Sequence, residues 1–341
     1  MRTIVQILIV VIAIIAWLLF PSKQYSPTIK GRALGTTYTI KIAHVISKAK
    51  LVEIRETVRK ELEDINNKMS TYLSDSELSK FNQLHSIEPF PISQKTLQVI
   101  IEAQTVSQAS NGAFDITVGP LVNLWGFGPQ KIKNNPSAQK IKDMLQQVGY
   151  QKLTVDPQSK TLKKAHPDLY VDLSAIAKGF AVDAVCDCLR NAGMQNYMVE
   201  IGGEIRASAF KKDKTPWIIG IESPQPGKRS VQKAVTLKGM AIATSGNYRN
   251  FRYDAKTKKR LSHTISPQTG RPISHNLASV SVISSTCMHA DAMATALMVL
   301  GEKRGFELAQ SLKLACYFIV HEKPGNYKIL QTDAFKKLQM K

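Results

Sequence analysis

The chain contains 341 residues, of which 43% are hydrophobic, and it carries a formal net charge of +20. That size is enough for one large domain or two closely packed lobes. The basic residues are dispersed, and aromatic residues do not alternate with them as they do in a base-stacking platform. The charge therefore indicates a solvated basic surface, or attraction of a polyphosphate ligand, and argues against a nucleic-acid-binding protein.

The cysteines are not spaced like metal ligands. Cys186 and Cys188 are separated by one residue on a predicted helix, so their side chains point apart. Neither this pair nor Cys287 and Cys316 has the spacing of a zinc site. We expect all four to be free cysteines that behave as small, buried apolar residues.

Residues 4–20 form an apolar run that only Gln6 interrupts. As a helix with a rise of ~1.5 Å per residue, a run of this length spans roughly 26 Å, the short end of what a membrane crossing needs. Neither a small-residue cleavage site nor a cysteine for lipid attachment follows it. We predict that residues 1–24 are an uncleaved anchor in the inner (cytoplasmic) membrane, and that residues 25–341 form one periplasmic domain.

Helices and strands mix along the rest of the chain. Residues 37–42 alternate between apolar and polar side chains, which predicts a half-buried strand. Apolar residues spaced by three and four predict a helix over residues 51–69. Residues 70–76 break this pattern and end the helix. Further helices are predicted over residues 93–109 and from Ser137, and further strands over residues 169–173, 197–201, 217–221, 241–244, 279–283 and 315–320. Because no strict βαβ period is present, we predict an α+β fold.

The segment Asn111-Gly-Ala-Phe-Asp115 places an acidic residue directly after an Asn-Gly turn. Such a carboxylate usually stabilises its own turn. Alternatively, Asp115 accepts hydrogen bonds from the ring or sugar of a ligand. The sequence leaves both roles open.

The segment Asp172-Leu-Ser-Ala-Ile-Ala-Lys178 has the composition of an anion site. A strand is predicted to end at Asp172 and a helix to begin near Ser174 and Ala175, where small side chains let a ligand approach the backbone. The N-terminal end of a helix favours an anion, and Lys178 adds a positive charge one turn later. The P-loop pattern is absent, and Asp172 would serve equally well as a helix cap.

Three further segments place polar groups after predicted strands. Residues 200–206 contain a Gly-Gly bend, which indicates a bulge or a close approach of another backbone. Residues 241–247 end a strand with the hydroxyls of Thr244 and Ser245. His263 stands before a Pro-Gln-Thr-Gly turn, where it is a candidate for proton transfer or ligand contact, although a lone histidine is more often structural.

Asp291 and Thr295 lie at positions i and i+4 of a predicted helix, so their side chains share a face near its N-terminus. One anionic and one neutral oxygen directed at the same place suit Mg²⁺, which takes its remaining ligands from phosphate and water. An aspartate near the start of a helix is more often a cap or a partner of the helix dipole. The pair alone does not decide between these roles.

In this order, the segments resemble those of the ApbE family of flavin transferases. The chain departs from the family at Ser266, where the family commonly has aspartate, and it has a predicted anchor where many members have a lipoprotein cysteine. The similar motifs are Leu34-Gly-Thr-Thr-Tyr38, residues 69–82, Phe114-Asp-Ile-Thr-Val-Gly-Pro120, Asp172-Leu-Ser-Ala-Ile-Ala-Lys-Gly179, Ile201-Gly-Gly-Glu204, Ala243-Thr-Ser-Gly246, His263-Thr-Ile265, Thr269-Gly-Arg-Pro272 and Ala290-Asp-Ala-Met-Ala-Thr295.

The resemblance implies a two-lobed, T-fold-like domain of mixed sheet and helices. It also implies that the protein transfers FMN from FAD to a threonine or serine hydroxyl of a target protein, forming a phosphoester and releasing AMP. Mg²⁺ would be bound by the side chains of Asp291 and Thr295 and the backbone carbonyl of Ala175. The residues that would contact FAD are Leu34, Tyr72, Ala113, Phe114, Asp115, Asp172, Lys178, His263 and Ile265.

We therefore expect a Mg²⁺-dependent transferase whose acceptors are flavoproteins of membrane electron-transport or sodium-pumping complexes. Either Asp291 or His263 would take the proton of the attacking hydroxyl, and the sequence does not choose between them. Two alternatives remain open. One is an FAD pyrophosphatase with water as the acceptor, and the other is an envelope protein that binds FAD without catalysis.

Overall fold

The computed structural model describes residues 27–128, 135–225, 230–247, 251–254, 260–323 and 326–339. The predicted membrane anchor, residues 1–24, lies outside these ranges. Within them, no helix combines the length and the apolar character that a membrane crossing requires. The described residues have the predicted α+β fold.

The strands, in chain order, are β1 Thr28–Ala33, β2 Thr36–Ile42, β3 Phe90–Pro91, β4 Leu153–Asp156, β5 Thr161–Lys164, β6 Tyr197–Ile201, β7 Glu204–Ala207, β8 Trp217–Glu222, β9 Val231–Leu237, β10 Ala241–Gly246, β11 Phe251–Tyr253, β12 Arg260–Ser262, β13 Leu277–Ser284, β14 Ala315–Lys323 and β15 Asn326–Gln331. The helices are α1 Lys48–Met69, α2 Glu77–Gln83, α3 Gln94–Ala109, α4 Gly119–Leu124, α5 Ala138–Leu145, α6 Ala177–Asn191, α7 Cys287–Ser311 and α8 Asp333–Gln339.

The main sheet of the described residues has the order β1-β2-β6-β7-β10-β13-β14-β15, and all its strand pairs are antiparallel. The smaller sheets are β3-β5-β4, β8-β9 and β11-β12. Both faces of the main sheet are covered. In β14, Cys316 and Phe318 belong to the core beneath α6 and α7, whereas Tyr317 and Ile319 belong to the core shared with β8, β9 and α8. This alternation follows from the two-residue period of a strand.

Helices α6 and α7 pack against each other and against the sheet, α6 on β6 and β7 and α7 on β10 and β13. Their contact is close because Gly179 has no side chain: a Cβ there would lie 2.4 Å from the carbonyl oxygen of Cys287. Helix α7 is interrupted at Gly301, which has a φ of 78°. The close crossing of α6 and α7 places the part of α7 before Gly301 against the first turn of α6.

Most predicted elements are confirmed. The helices predicted over residues 51–69 and 93–109 and from Ser137 are α1, α3 and α5, and each is capped by a serine at its N-terminus. The predicted strand over residues 169–173 is wrong. Its backbone does not enter a sheet ladder, since Val171 pairs with the side chain of Asn82 and the amide of Asp172 donates to the carbonyl of Ile116.

Candidate active site

The N-terminus of α7 is capped without Asp291. The side chain of Thr286 accepts a hydrogen bond from the amide of His289. The carboxylate of Asp183, on α6, accepts from the amides of Cys287 at 3.0 Å and Met288 at 2.9 Å. These groups satisfy donors that a helix start leaves unpaired. The capping role that the sequence left open for Asp291 is therefore excluded by the structure.

Asp291 lies one turn further along α7 and is only 3% exposed. Its Oδ2 accepts a hydrogen bond of 3.0 Å from the amide of Gly179. Lys178 Nζ lies 3.6 Å from the same oxygen and 3.5 Å from Glu204 Oε1 at the start of β7. One ammonium group is thus shared by two buried carboxylates that come from different elements.

Burial governs the electrostatics of this cluster. Removal from water raises the pKa of Glu204 and of Asp291, although the charge of Lys178 opposes both shifts. Burial alone would lower the pKa of Lys178, but the two carboxylates outweigh it and raise that pKa. Glu204 Oε2 is buried and accepts no hydrogen bond. A buried carboxylate oxygen without a partner raises the free energy of the folded state. The cluster therefore favours binding of a further cation or hydrogen-bond donor.

Thr295 lies on the same face of α7 as Asp291, as predicted from their spacing. The hydroxyls of Thr295 and Ser245 are 3.1 Å apart, which connects α7 to the end of β10. In the part of the chain that the structure describes, no three His, Cys, Asp or Glu side chains are grouped to hold a metal. A metal ion at this place would therefore depend on a carboxylate together with hydroxyl and carbonyl oxygens, a donor set that suits a hard cation.

The segment before α6 forms a tight turn. Asp172 Oδ1 accepts hydrogen bonds from the amide of Ser174 at 2.9 Å and from its hydroxyl at 2.5 Å. This oxygen therefore stabilises the turn and does not cap the helix, because the N-cap residue of α6 is Ile176, which receives no side-chain capping bond. Ala175 lies within the turn, and α6 begins at Ala177, slightly later than predicted. Lys178 follows in the first turn of α6, so a helix N-terminus and an ammonium group lie together, as the sequence predicted.

The predicted flavin-binding segment is deeply buried. Ala113 and Phe114 belong to the interior. Asp115 Oδ1 accepts from the amide and the hydroxyl of Thr117, and its Oδ2 accepts from the amide of Tyr150 at 2.8 Å. These bonds support the turn-stabilising role of Asp115. A direct contact of the three residues with a ligand stays a prediction.

Tyr72 and Leu34 occupy different surroundings. Tyr72 is 69% exposed, and its neighbour in sequence, Thr71, shares a hydrogen bond with Tyr170, two residues before Asp172. Leu34 has a φ of 51° in the β1–β2 turn and lines a cavity of about 190 Å³ with Tyr38 and residues of α1. Exposure leaves the Tyr72 ring available to stack on a ligand.

His263 and Ile265 follow β12. The ring of His263 is half-buried and meets the ring of Phe127 edge to face, with centroids 6.5 Å apart. Ile265 is buried in a small core with Leu121 and Trp125 and forms a bridge to Pro272. The surroundings of Ile265 are those of a core residue, and its predicted contact with FAD stays a prediction.

The structure therefore brings Lys178, Asp291 and Thr295 together where α6, α7 and β10 meet. The sequence assigned no role to Glu204 or Ser245, although it identified the segments that contain them. The Gly-Gly bend before Glu204 was the available signal, because it indicated that another part of the chain approaches closely. The side chain that approaches is Lys178, whose Cδ lies 3.3 Å from where a Cβ of Gly202 would stand.

Comparison with known proteins agrees with this site and fold. The chain matches the ApbE family model over residues 34–318. It is 45% identical over 309 residues to an FAD:protein FMN transferase of Vibrio cholerae, covering 90% of this chain and 91% of that protein. It is 44% identical over 317 residues to an FAD:protein FMN transferase of Haemophilus influenzae, covering 91% of each. The solved structure of the flavin transferase ApbE from Vibrio cholerae has a TM-score of 0.82 at 43% identity, covering 93% of this chain and 99% of that one.

The α+β fold and these relatives define the protein as an enzyme of the transferase class. More particularly, the chain belongs to the ApbE family. The family resemblance and the enzyme class predicted from the sequence are thus confirmed.

Proposed function

We propose that this enzyme transfers FMN from FAD to a threonine or serine hydroxyl of an acceptor flavoprotein, with Mg²⁺ as cofactor and AMP as leaving group. The names of its relatives support FAD as substrate and a protein as acceptor. The observation that carries the proposal is the convergence of Lys178, Asp291 and Glu204 at the first turn of α6. The helix N-terminus and the Lys178 ammonium group suit a diphosphate, and the carboxylates suit the cation that would accompany it.

The donor set fits Mg²⁺. Asp291 and Thr295 offer a carboxylate and a hydroxyl on one helix face, and we propose the backbone carbonyl of Ala175 as a third ligand. When bound, Mg²⁺ would neutralise charge on the diphosphate of FAD and stabilise the departing AMP. Glu204 Oε1 contacts the ammonium group of Lys178. Lys178 therefore keeps a carboxylate partner when Asp291 binds a ligand.

In the reaction, the acceptor oxygen attacks the FMN phosphorus, the bond from that phosphorus to the bridging oxygen breaks, and AMP leaves with the bridging oxygen. We propose that His263 is the general base that accepts the proton of the acceptor hydroxyl. Asp291 is buried and its Oδ2 already contacts the Gly179 amide and Lys178. Imidazole is the side chain used most often as a general base near neutral pH, and that of His263 is half-buried beside Phe127.

The remaining assignments follow the family. We propose that Tyr72, Leu34 and residues 113–115 lie along the flavin, and that Asp172, Lys178 and residues 263–265 bind the rest of FAD. We also propose that residues 1–24 anchor a periplasmic domain, residues 25–341, in the cytoplasmic membrane. Acceptors would then be flavoproteins of membrane electron-transport or sodium-pumping complexes.

The test mixes the full-length protein, FAD and Mg²⁺ with an unflavinylated acceptor domain from such a complex. Yellow fluorescence that stays on the acceptor after denaturation, with one AMP released per FMN bound, supports the transferase. Free FMN and AMP without labelled acceptor would instead identify an FAD pyrophosphatase. FAD binding with no AMP release would identify a non-catalytic binding protein.

A further inference from the structure

Helix α7 is tied to α6 at two places. At the first, Asp291 Oδ2 accepts a hydrogen bond from the amide of Gly179. At the second, the carboxylate of Asp183 accepts from the first two amides of α7, Oδ1 from Cys287 at 3.0 Å and Oδ2 from Met288 at 2.9 Å. Gly179 and Asp183 stand at positions i and i+4 of α6, so both lie on the face that packs against α7.

Arg206 fixes the orientation of Asp183. Its Nη1 donates a hydrogen bond of 2.6 Å to Asp183 Oδ1, and the two side chains are only 18% and 14% exposed. Arg206 follows Glu204 by two residues in β7, so both side chains lie on the same face of the strand. That face meets α6 twice, with Glu204 at Lys178 and Arg206 at Asp183. The charge-assisted bond from Arg206 therefore holds the carboxylate where it receives the two amides of α7.

The bonds of Asp183 differ from those of the cap within α7 itself. Thr286 accepts from the amide of His289 at 3.4 Å, so it stabilises α7 wherever that helix lies. Asp183 belongs to another helix, so its bonds also fix where α7 begins relative to α6. They engage only the backbone of α7 and therefore take up no oxygen of Asp291 or Thr295.

The position at which α7 begins determines where Asp291 lies. Asp291 follows Met288 by three residues, which is less than one helical turn, so it moves together with the amides that Asp183 holds. A shift of α7 by one residue along its axis would displace Asp291 and Thr295 by about 1.5 Å. Ligand distances at a metal site vary by only about 0.2 Å. A small displacement at the start of α7 is therefore enough to remove a ligand from the ion.

We propose that Asp183 is a positioning residue for the metal site, which fixes α7 against α6 so that Asp291 lies beside the first turn of α6. Arg206 supports this role by orienting the carboxylate. The inference rests on the proposed function and adds residues that set its affinity for the cation. Asp183 acts through the backbone of α7 and supplies no metal ligand. The competing role is that of a helix cap alone, which would stabilise α7 without affecting the binding of a cation.

The experiment compares Asp183→Asn with Thr286→Ala in the full-length protein. Asp183→Asn keeps the size of the side chain but replaces one acceptor oxygen by a donor, which then opposes an α7 amide or Arg206. Thr286→Ala is the matched control, because it removes a cap of the same helix and leaves Asp183 in place. Arg206→Gln is a milder second variant, which keeps both amide bonds and removes the charge that orients Asp183.

The measurements separate binding of the cation from stability and from transfer. The Kd for Mn²⁺ in the presence of FAD is obtained from the electron paramagnetic resonance signal of the free ion. The affinity for FAD in EDTA is obtained from flavin fluorescence, and the unfolding midpoint from thermal denaturation. Transfer is measured as FMN attached to an acceptor domain.

We expect Asp183→Asn to raise the Kd for Mn²⁺ at least ~10-fold, because changes to the groups that orient metal ligands commonly cost about 10–100-fold in metal affinity. Arg206→Gln should raise the same Kd by a smaller factor. The affinity for FAD in EDTA should stay unchanged in both variants. Thr286→Ala should lower the unfolding midpoint and yet leave the Kd for Mn²⁺ within about twofold of the wild type, because it weakens the helix without releasing it from α6.

A Kd for Mn²⁺ that is the same in Asp183→Asn and the wild type would overturn the inference. So would an equal rise in Thr286→Ala, since Asp183 would then act as a cap alone. If Asp183→Asn does not fold, Arg206→Gln decides, and a wild-type Kd in that variant overturns the inference. The proposed function fails separately. A wild type that binds Mn²⁺ through an Asp183-dependent site but labels no acceptor would refute the transferase and leave the positioning role in place.

Discussion

Lys178 Nζ lies 3.6 Å from Asp291 Oδ2, and this contact joins the first turn of α6 to the inner face of α7. Lys178 places a cation beside Asp291, which we propose as a metal ligand, and Glu204 holds the same ammonium group from β7 at 3.5 Å. The cluster therefore combines charge for a diphosphate with oxygen donors for Mg²⁺. One ammonium group offsets part of the charge of the two buried carboxylates, and the negative charge that remains favours a bound divalent cation.

Replacing Lys178 by Met should destabilise the protein. The change leaves Glu204 and Asp291 buried without their shared cation, and breaking a buried ion pair costs about 3–5 kcal/mol. Urea unfolding in EDTA measures the loss of unfolding free energy. We expect a loss at the lower end of that range, because Lys178 is only half-buried. Adding Glu204→Gln to Lys178→Met should restore part of the loss. A Lys178→Met variant as stable as the wild type would contradict the proposed charge balance.

Mg²⁺ should stabilise Lys178→Met more than it stabilises the wild type. Without the ammonium group, a divalent cation meets two carboxylates that no other charge neutralises. A ligand that binds the folded state alone raises the free energy of unfolding by RT ln(1 + [L]/Kd). Thermal unfolding at a series of Mg²⁺ concentrations gives this increment for both proteins. A larger increment in the wild type would mean that the cation binds elsewhere.

The stability of the protein should depend on the protonation of Glu204. Burial raises the pKa of this carboxyl in the folded state above its ordinary value near 4.5. The folded state then holds the proton more tightly, so this contribution to stability is complete below pH 4.5 and decreases as the pH rises through the folded-state pKa. The unfolding free energy of the wild type minus that of Glu204→Gln should therefore fall with rising pH, by at most about 1.4 kcal/mol per pH unit. Urea unfolding in EDTA measures it, and a difference that increases with pH would refute the assignment.

Gly179→Ala should separate α6 from α7. An alanine in a helix usually stabilises by about 0.4–1 kcal/mol relative to glycine. Here the added Cβ would lie 2.4 Å from the carbonyl oxygen of Cys287 and 2.8 Å from Cβ of Asp291. Overpacking of this kind costs about 1–3 kcal/mol. We expect a net loss of stability by urea unfolding and weaker binding of FAD with Mg²⁺, and a stabilised variant would contradict the close helix contact.

Asn82→Ala should release the segment that carries Asp172. Asn82 Nδ2 donates to the carbonyl of Val171 and its Oδ1 accepts from the amide of Val171, both at 2.8 Å. Removing both bonds leaves two backbone groups unpaired and should cost about 2 kcal/mol. The affinity for FAD, measured by flavin fluorescence, should also fall. Asn82→Asp, which keeps the acceptor and loses the donor, should give an intermediate loss.

The features that the sequence predicted correctly depend on local periodicity. The shared face of Asp291 and Thr295 follows from the helical repeat, and the position of Lys178 near a helix start follows from the small residues before it. The convergence of Glu204 on Lys178 could not be predicted in this way, because it depends on how β7, α6 and α7 pack in three dimensions. The wrong strand at residues 169–173 has a similar cause. Its backbone bonds to the side chain of Asn82, a partner that no strand pattern reveals.

The position of the metal ion is the central claim, and Mn²⁺ in place of Mg²⁺ makes it visible. Crystals of the protein soaked with FAD and Mn²⁺ should show one anomalous-scattering peak within about 2.3 Å of Asp291 and Thr295 oxygens, with a phosphate oxygen of FAD as a further ligand. Asp291→Asn crystals treated in the same way should lose the peak. A peak at another place, or Asp291 and Thr295 side chains turned away from the nucleotide, would contradict the account.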